Sequence, residues 1–220
     1  MEREIITTGD GSKTIQIKGW DEQYHSKHGA IQEAYHVFIN HGLCLFEKTS
    51  ISILEIGFGT GLNAFITLLE HTKRALNVNY TGVEAYPVAK EEIEQLGYAA
   101  ALGVPEMNTH FNNLHESVWN ERVEITPSFH LEKQKIDFKD IKAKNLFNLI
   151  YFDAFGARVQ PELWTVSIFK KMFTALKPKG YIVTYAAKGS VRRAMQEVGF
   201  LVERLPGPPG KREMLRGYKP

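Results

Sequence analysis

The stretch ISILEIGFGTGLNAFITLLE, residues 51–70, places a carboxylate, Glu55, two residues ahead of a G-x-G-x-G run formed by Gly57, Gly59 and Gly61. A glycine turn between a strand and a helix lets a ligand approach the backbone closely. Dinucleotide sites use the spacing G-x-G-x-x-G, and a carboxylate at the strand end repels a pyrophosphate, so the ligand expected here has no phosphate and a positive end. Glu84 closes NVNYTGVE, 23 residues after Gly61, the spacing at which an acid accepts hydrogen bonds from ribose hydroxyls. Asp137 closes SFHLEKQKID, where it either accepts from an adenine amino group or caps a turn. Three acids at three strand tips around a glycine turn describe a nucleoside cofactor without phosphates. S-adenosyl-L-methionine, with an adenosine, an ammonium and a sulfonium, has that chemistry.

A fourth acid, Asp153, follows the apolar run LFNLIYF, which delivers it to the carboxyl end of a strand, where open α/β sheets bind their ligands. It is the candidate catalytic residue. Phe155 is the candidate to stack on a flat substrate, while Trp164 reads as loop core. His25, His28 and His36 cluster in sequence, but no cysteine partners them and no zinc spacing occurs, so no metal is expected. Cys44 is the single cysteine; it excludes an intrachain disulfide framework, suits a reducing cytoplasm and reads as a small buried hydrophobe.

The elements that must position these residues alternate. Residues 4–18 read as a β-hairpin around Asp10-Gly11, and 29–43 as an amphipathic helix. Then come the strand ISILEIG, the helix GLNAFITLLEHTK, the strand NVNYTGVE and a helix opened by Pro87 through residue 102. The strands SFHLEKQKID and LFNLIYF follow, then the helix PELWTVSIFKKMFTAL with proline in its first turn. The strand GYIVTYAA, the helix SVRRAMQEVGF and two strands around GPPG complete the order. Residues 105–128 are the least readable and predict an extra helix and a loop. The alternation argues for a parallel, doubly wound α/β sheet with an antiparallel pair at its end.

A chain of 220 residues, 43% hydrophobic and 24% charged, is an ordinary globular composition, and no apolar run is long enough to span a membrane. Net charge is +2, yet from Lys177 to Pro220 there are ten basic and three acidic residues. A basic end on a near-neutral chain suggests a polyanion partner on one face; a solvated surface is the plain alternative.

The blocks YHSKHGAIQEAYHVFI, EIGFGTGLN, VEAYP, FDAFGARVQPELWT, GSVRRAMQEVGF and GKREMLRG resemble the MnmC-type methyltransferase family of 5-methylaminomethyl-2-thiouridine synthesis in tRNA, over nearly the whole chain. The resemblance implies a class I S-adenosylmethionine-dependent methyltransferase fold: a Rossmann-like, seven-stranded mixed sheet with its last strand antiparallel. Residues 1–45 would be an N-terminal hairpin and helix packed on the core, and 46–220 a single globular methyltransferase domain. The implied reaction is methylation of the aminomethyl nitrogen of 5-aminomethyl-2-thiouridine at the wobble position, with the tRNA anticodon stem-loop as partner, in the cytoplasm. Cofactor contacts would come from Tyr24, Glu33, Glu55, Gly57, Gly59, Gly61, Asn63, Glu84 and Asp137. Asp153 would face the amine beside Phe155, and Arg192, Arg193, Lys211 and Arg212 would meet phosphates. Arg192 and Arg193 read equally as the polar face of their helix. The family often has D-A-F-A-P-x-x-N-P where Gly156, Ala157 and Gln160 stand here. The flavin-dependent half found beside this domain in many bacteria is not expected, so separate enzymes would supply the aminomethyl precursor. The competing readings are a methyltransferase for small-molecule amines and a catalytically silent RNA-binding module.

Overall fold

The computed structural model describes residues 2–220. The chain opens with β1 (Arg3–Thr7) and β2 (Lys13–Ile17), paired antiparallel, and β3 (Glu22–Gln23) adds to the β2 edge. Gly11, at φ +83°, makes the turn between β1 and β2. The helix that follows is α-helical over α1 (Ala30–Ala34) and widens to a π-helix from Tyr35 to Asn40.

The main sheet holds eight strands rather than the seven expected. They are β4 (Ser50–Ile56), β5 (Asn77–Val83), β6 (Arg122–Thr126), β7 (Phe129–Gln134), β8 (Phe147–Phe152), β9 (Leu176–Thr184), β10 (Leu201–Pro206) and β11 (Glu213–Tyr218). Their order is β10-β11-β9-β8-β4-β5-β7-β6. The central five pair in parallel, and β11 runs antiparallel to both β9 and β10. The extra strand is β6, which pairs antiparallel with β7 at the far edge. It lies in the segment from which only a helix and a loop were expected; its sequence, RVEIT, is short and at best half-buried, so it carries little pattern.

Helices cover both faces: α2 (Leu62–Glu70), α3 (Lys90–Leu96), α4 (Tyr98–Ala101), α5 (Asn108–Glu116), α6 (Val166–Ala175) and α7 (Gly189–Glu197). The single helix expected after Pro87 is two, because Gly97 at φ +61° breaks it, and Pro87 lies in the preceding loop. Two apolar cores result, one on each sheet face. One joins Ile15, Ala34, Val37 and Phe38 of the N-terminal segment to Phe65, Tyr80, Phe111 and Tyr151. The other packs Ile150 and Phe152 against Trp164, Phe169 and Met172. Cys44 is exposed, contrary to the expected burial, because the 3-10 turn Leu43–Leu45 holds it outward beside Arg74. Among the described residues no helix is long and apolar enough to cross a membrane.

The order in which strands are added reverses between the parallel neighbours β4 and β8. The chain builds outward from β4 through β5 and β7, then returns to lay β8 on the other side. The crevice beyond the carboxyl ends of β4 and β8 is thus the topological switch point, where this architecture binds ligands.

Candidate active site

At that crevice lies a cavity of about 680 Å³, lined by Tyr24, Gly57, Gly59, Glu84, Asp137, Asp153 and Phe155 among others. The glycine turn is its floor. Gly57, Gly59 and Gly61 take φ of +89°, +48° and +70°. Crowding demands glycine as strongly as conformation does. A Cβ on Gly57 would stand 2.6 Å from the carbonyl oxygen of Asp153, and one on Gly61 2.7 Å from His115 Nε2.

Each acid is held differently. Glu84 is buried and accepts from two backbone N–H groups, Gly59 at 3.0 Å and Tyr86 at 2.9 Å. Those contacts tie the tip of β5 to the glycine turn and leave lone pairs on both oxygens for further donors. Asp137 does not end a strand; it lies three residues past β7, accepts from the Lys139 N–H at 3.0 Å and pairs with the Lys139 ammonium at 3.2 Å. It therefore caps a turn and lines the cavity at once, and the backbone N–H holds its pKa below the usual value.

Glu55 and Asp153 are joined. The Asn63 side chain, in the first turn of α2, donates through Nδ2 to Glu55 Oε1 at 2.9 Å and to Asp153 Oδ2 at 2.8 Å. Glu55 is fully buried beneath the cavity floor, and burial holds its pKa well above the carboxylate range. Asp153 reaches the cavity wall, and burial, followed by the Glu33 charge, pushes its pKa up to about 7.

Tyr24 packs its ring on Gly59 and, 4.9 Å between centroids, edge-on against Phe155, which also meets Trp20 at 5.8 Å. Trp164 is buried and donates from Nε1 to the Phe155 carbonyl at 2.7 Å, so it anchors the loop that carries Asp153. Glu33 is not in the cavity wall. It is buried behind it, accepting from the Ser26 N–H at 3.0 Å and from Lys211 Nζ at 2.5 Å.

Beyond the Asp153 loop a groove of about 510 Å³ is lined by Arg158, Tyr185, Lys188, Lys211 and Arg212 with Glu22 and Glu213. Of the four basic residues expected to meet phosphates, Lys211 and Arg212 line it and Arg192 and Arg193 do not. Lys211 is turned inward: besides Glu33, its ammonium lies 3.8 Å over the Tyr185 ring. Arg212 is exposed. Lys188, from the basic C-terminal stretch, lines it too, whereas Arg158, isolated in sequence from any basic cluster, joins the groove only through the fold and is paired there with Glu22 at 2.9 Å. His25 and His115 also went unsingled as site residues. His25 shares a 2.6 Å hydrogen bond with Thr60 Oγ1, and His115 Nε2 donates to the Thr60 carbonyl at 3.1 Å, so both brace the glycine turn. Burial lowers both histidines to about 4, which keeps them neutral.

This donor set suits a cationic nucleoside. The cavity offers carboxylates, and the Arg3 and Lys139 cations that line it are paired with Glu92 and Asp137. Beneath its floor Asn63 Oδ1 is buried with no partner among the described residues, and the Glu55 carboxylate is reached by the Tyr80 hydroxyl.

Comparison with known proteins gives the same reading. Residues 105–220 match the family described as S-adenosyl-L-methionine-dependent methyltransferase. The "tRNA 5-methylaminomethyl-2-thiouridine biosynthesis bifunctional protein MnmC" of Burkholderia mallei (strain SAVP1) is 30% identical over 97% of this chain and 35% of its own length. The same protein of Burkholderia pseudomallei (strain 668) gives the same figures. The chain thus spans about a third of the length of the curated relatives it matches. Among solved structures, MNMC2 from Aquifex aeolicus superposes with a TM-score of 0.76 at 26% identity, over 98% of this chain and 69% of that one. Spermidine synthase from Thermotoga maritima shares the fold, with a TM-score of 0.61 at 16% identity over 99% of this chain and 68% of that one.

Proposed function

Because the chain belongs to the S-adenosyl-L-methionine-dependent methyltransferase family, as a methyltransferase domain of the MnmC type, we propose that it methylates the exocyclic nitrogen of 5-aminomethyl-2-thiouridine at the tRNA wobble position. The observation that carries this reading is the place of Asp153: it is fixed by Asn63 on the loop that separates the cofactor cavity from the basic groove. S-adenosyl-L-methionine supplies an electrophilic methyl group on a sulfonium when bound. Glu84 would hold the ribose, Asp137 the adenine edge, and the glycine turn with Asn63 the methionine end.

The nucleophile is an alkyl amine with a pKa near that of lysine, about 10.4, so it arrives protonated. Asp153 would accept a hydrogen bond from it and hold the nitrogen at the cavity wall, with the proton lost to Asp153 or to water. Positioning of this kind is the main contribution open to a displacement that needs little acid–base chemistry. Arg158, Lys188 and Arg212 line a groove suited to phosphates of a looped RNA strand, whose splayed bases can reach an aromatic wall such as Phe155.

The test is to incubate the chain with labelled S-adenosyl-L-methionine and tRNA from cells lacking this methylation, and to identify the nucleosides by mass spectrometry. A methyl gain on 5-aminomethyl-2-thiouridine, lost in Asp153→Asn with cofactor binding intact, is the expected result. Transfer to free amines but not to tRNA would overturn the RNA reading.

A further inference from the structure

The two carboxylates bridged by Asn63 have a chemistry that neither has alone. Both Glu55 Oε1 and Asp153 Oδ2 accept from one amide nitrogen, so they lie inside the range of about 4–6 Å over which charges alter one another's protonation. Around Glu55 stand Asn63 from α2, Tyr80 from β5, Tyr151 from β8, and Glu84 and Asp153 from the loops beyond β5 and β8. None of these is a cation. Around Asp153 stand Glu33 from α1, Tyr185 beyond β9 and Lys211 from the loop between β10 and β11, and Lys211 is already paired with Glu33. Asn63 Oδ1 is buried without a partner among the described residues, and the Tyr80 hydroxyl is the one further donor that reaches the Glu55 carboxylate. Two such carboxylates cannot both ionise cheaply, so they keep a proton.

We propose that Glu55, acting through Asn63, is a positioning residue that makes Glu55–Asn63–Asp153 a single proton-holding unit, protonated in the empty site and discharged when a cationic ligand binds above it. Discharge leaves Asp153 as the free carboxylate. The substrate ammonium then gives its proton to that unit, and the nitrogen lone pair forms the N–C bond. The electron pair of the breaking C–S bond stays on sulfur as a neutral thioether. The product leaves as a methylated ammonium, and the unit returns to its protonated state. The burial of both acids supports this direction: Glu55 is held well above the carboxylate range and Asp153 near 7.

The priming step rests on the amine reading above, but its test uses no RNA, so failure of one is distinct from failure of the other. Calorimetric titration of the full chain with S-adenosyl-L-methionine at pH 7, in buffers of low and high ionisation enthalpy, counts the protons released. Release of about one proton per ligand is expected, falling to less than half of that in Glu55→Gln. Infrared difference spectra of the unmutated chain should show the carbonyl band of a protonated carboxyl group disappearing on binding, which keeps the test open if the variant does not fold. A release near zero together with an unchanged carboxyl band overturns the proposal, as does a release that Glu55→Gln leaves intact.

Discussion

Replacing Gly57 by alanine separates the two demands placed on the glycine turn, and Gly11 provides the reference. The two residues share nearly the same φ, +89° and +83°. A Cβ on Gly11 meets nothing within 4 Å, whereas one on Gly57 stands 2.6 Å from the Asp153 carbonyl oxygen. Left-handed backbone costs an alanine about 1–2 kcal/mol, partly offset by the less flexible unfolded chain. Gly11→Ala should therefore lose about 1 kcal/mol. In Gly57→Ala the new contact must open by about 0.8 Å to reach ordinary van der Waals separation. Overpacking of this kind adds about 1–3 kcal/mol, so the total is about 3 kcal/mol. For a chain of this size that lowers Tm by about 6–12 °C, against about 2–4 °C for Gly11→Ala. The group pushed is the backbone of Asp153 itself, and a misplacement of about 1 Å costs about 100-fold in turnover. Thermal melts and single-turnover methyl transfer on both variants decide the matter. Equal Tm losses, or turnover in Gly57→Ala within a few-fold of the parent, would refute the claim that the turn and the Asp153 loop are in steric register.

Four further outcomes follow from the same geometry. Asp153 must be ionised to accept a proton and its pKa is about 7, so kcat/KM should rise with pH through that value. Asp153→Asn should abolish the limb along with most of the rate. The Asp153 pKa, raised from its ordinary value to about 7, means that the native chain binds more protons than the unfolded one between those values, and Glu55, raised well above the carboxylate range, acts in the same direction. Their contribution to stability is then greatest in acid and lost as pH rises, and Glu55→Gln should flatten that decline in a series of thermal melts. Lys211→Met strands the buried Glu33 carboxylate and should cost about 2 kcal/mol. Adding Glu33→Gln should recover part of that loss in denaturant titrations. Arg212→Ala, on an exposed side chain of the groove, should weaken tRNA binding and reduce the slope of log K against log salt by about 1. An unchanged slope would remove Arg212 from the RNA path.

What the sequence disclosed follows from where local pattern and tertiary environment agree. The run ISILEI is apolar at four of its six positions because β4 is buried on both faces over most of its length, and the glycines that follow it mark the switch point without ambiguity. Glu84 and Asp153 are legible for the same reason, each closing a buried parallel strand. Legibility fails where neighbours decide. In β7 the alternation that buries Phe129 and Leu131 continues inward to Lys133, a position that reads as surface. Its ammonium is instead capped by the His115 carbonyl and the Trp119 ring, both supplied by the segment whose pattern is weakest. α5, NTHFNNLHE, is poor in strong helix formers and is held by packing through Phe111 and Leu114. Lys211 looks like a phosphate contact until the fold sets Glu33 beside it, and Arg158 acquires its groove only when β9 and the loop after β10 close around it.

The pairing of Glu33 with Lys211 also fixes an order of events. The two residues are 178 positions apart, and the nearby hydrogen bond from His36 Nε2 to the Pro206 carbonyl spans 170. Contacts of such separation form late, because the intervening chain must first be ordered. A ribosome that has just added Asp153 has made Glu55, Glu84, Asp137 and Asp153 and the whole glycine turn. The wall behind them still awaits Lys211 and the loop that carries it. The reactive residues thus exist in the growing chain well before the enclosure that gives them their protonation states, and competence for chemistry arrives with the closing of the sheet rather than with the synthesis of its acids.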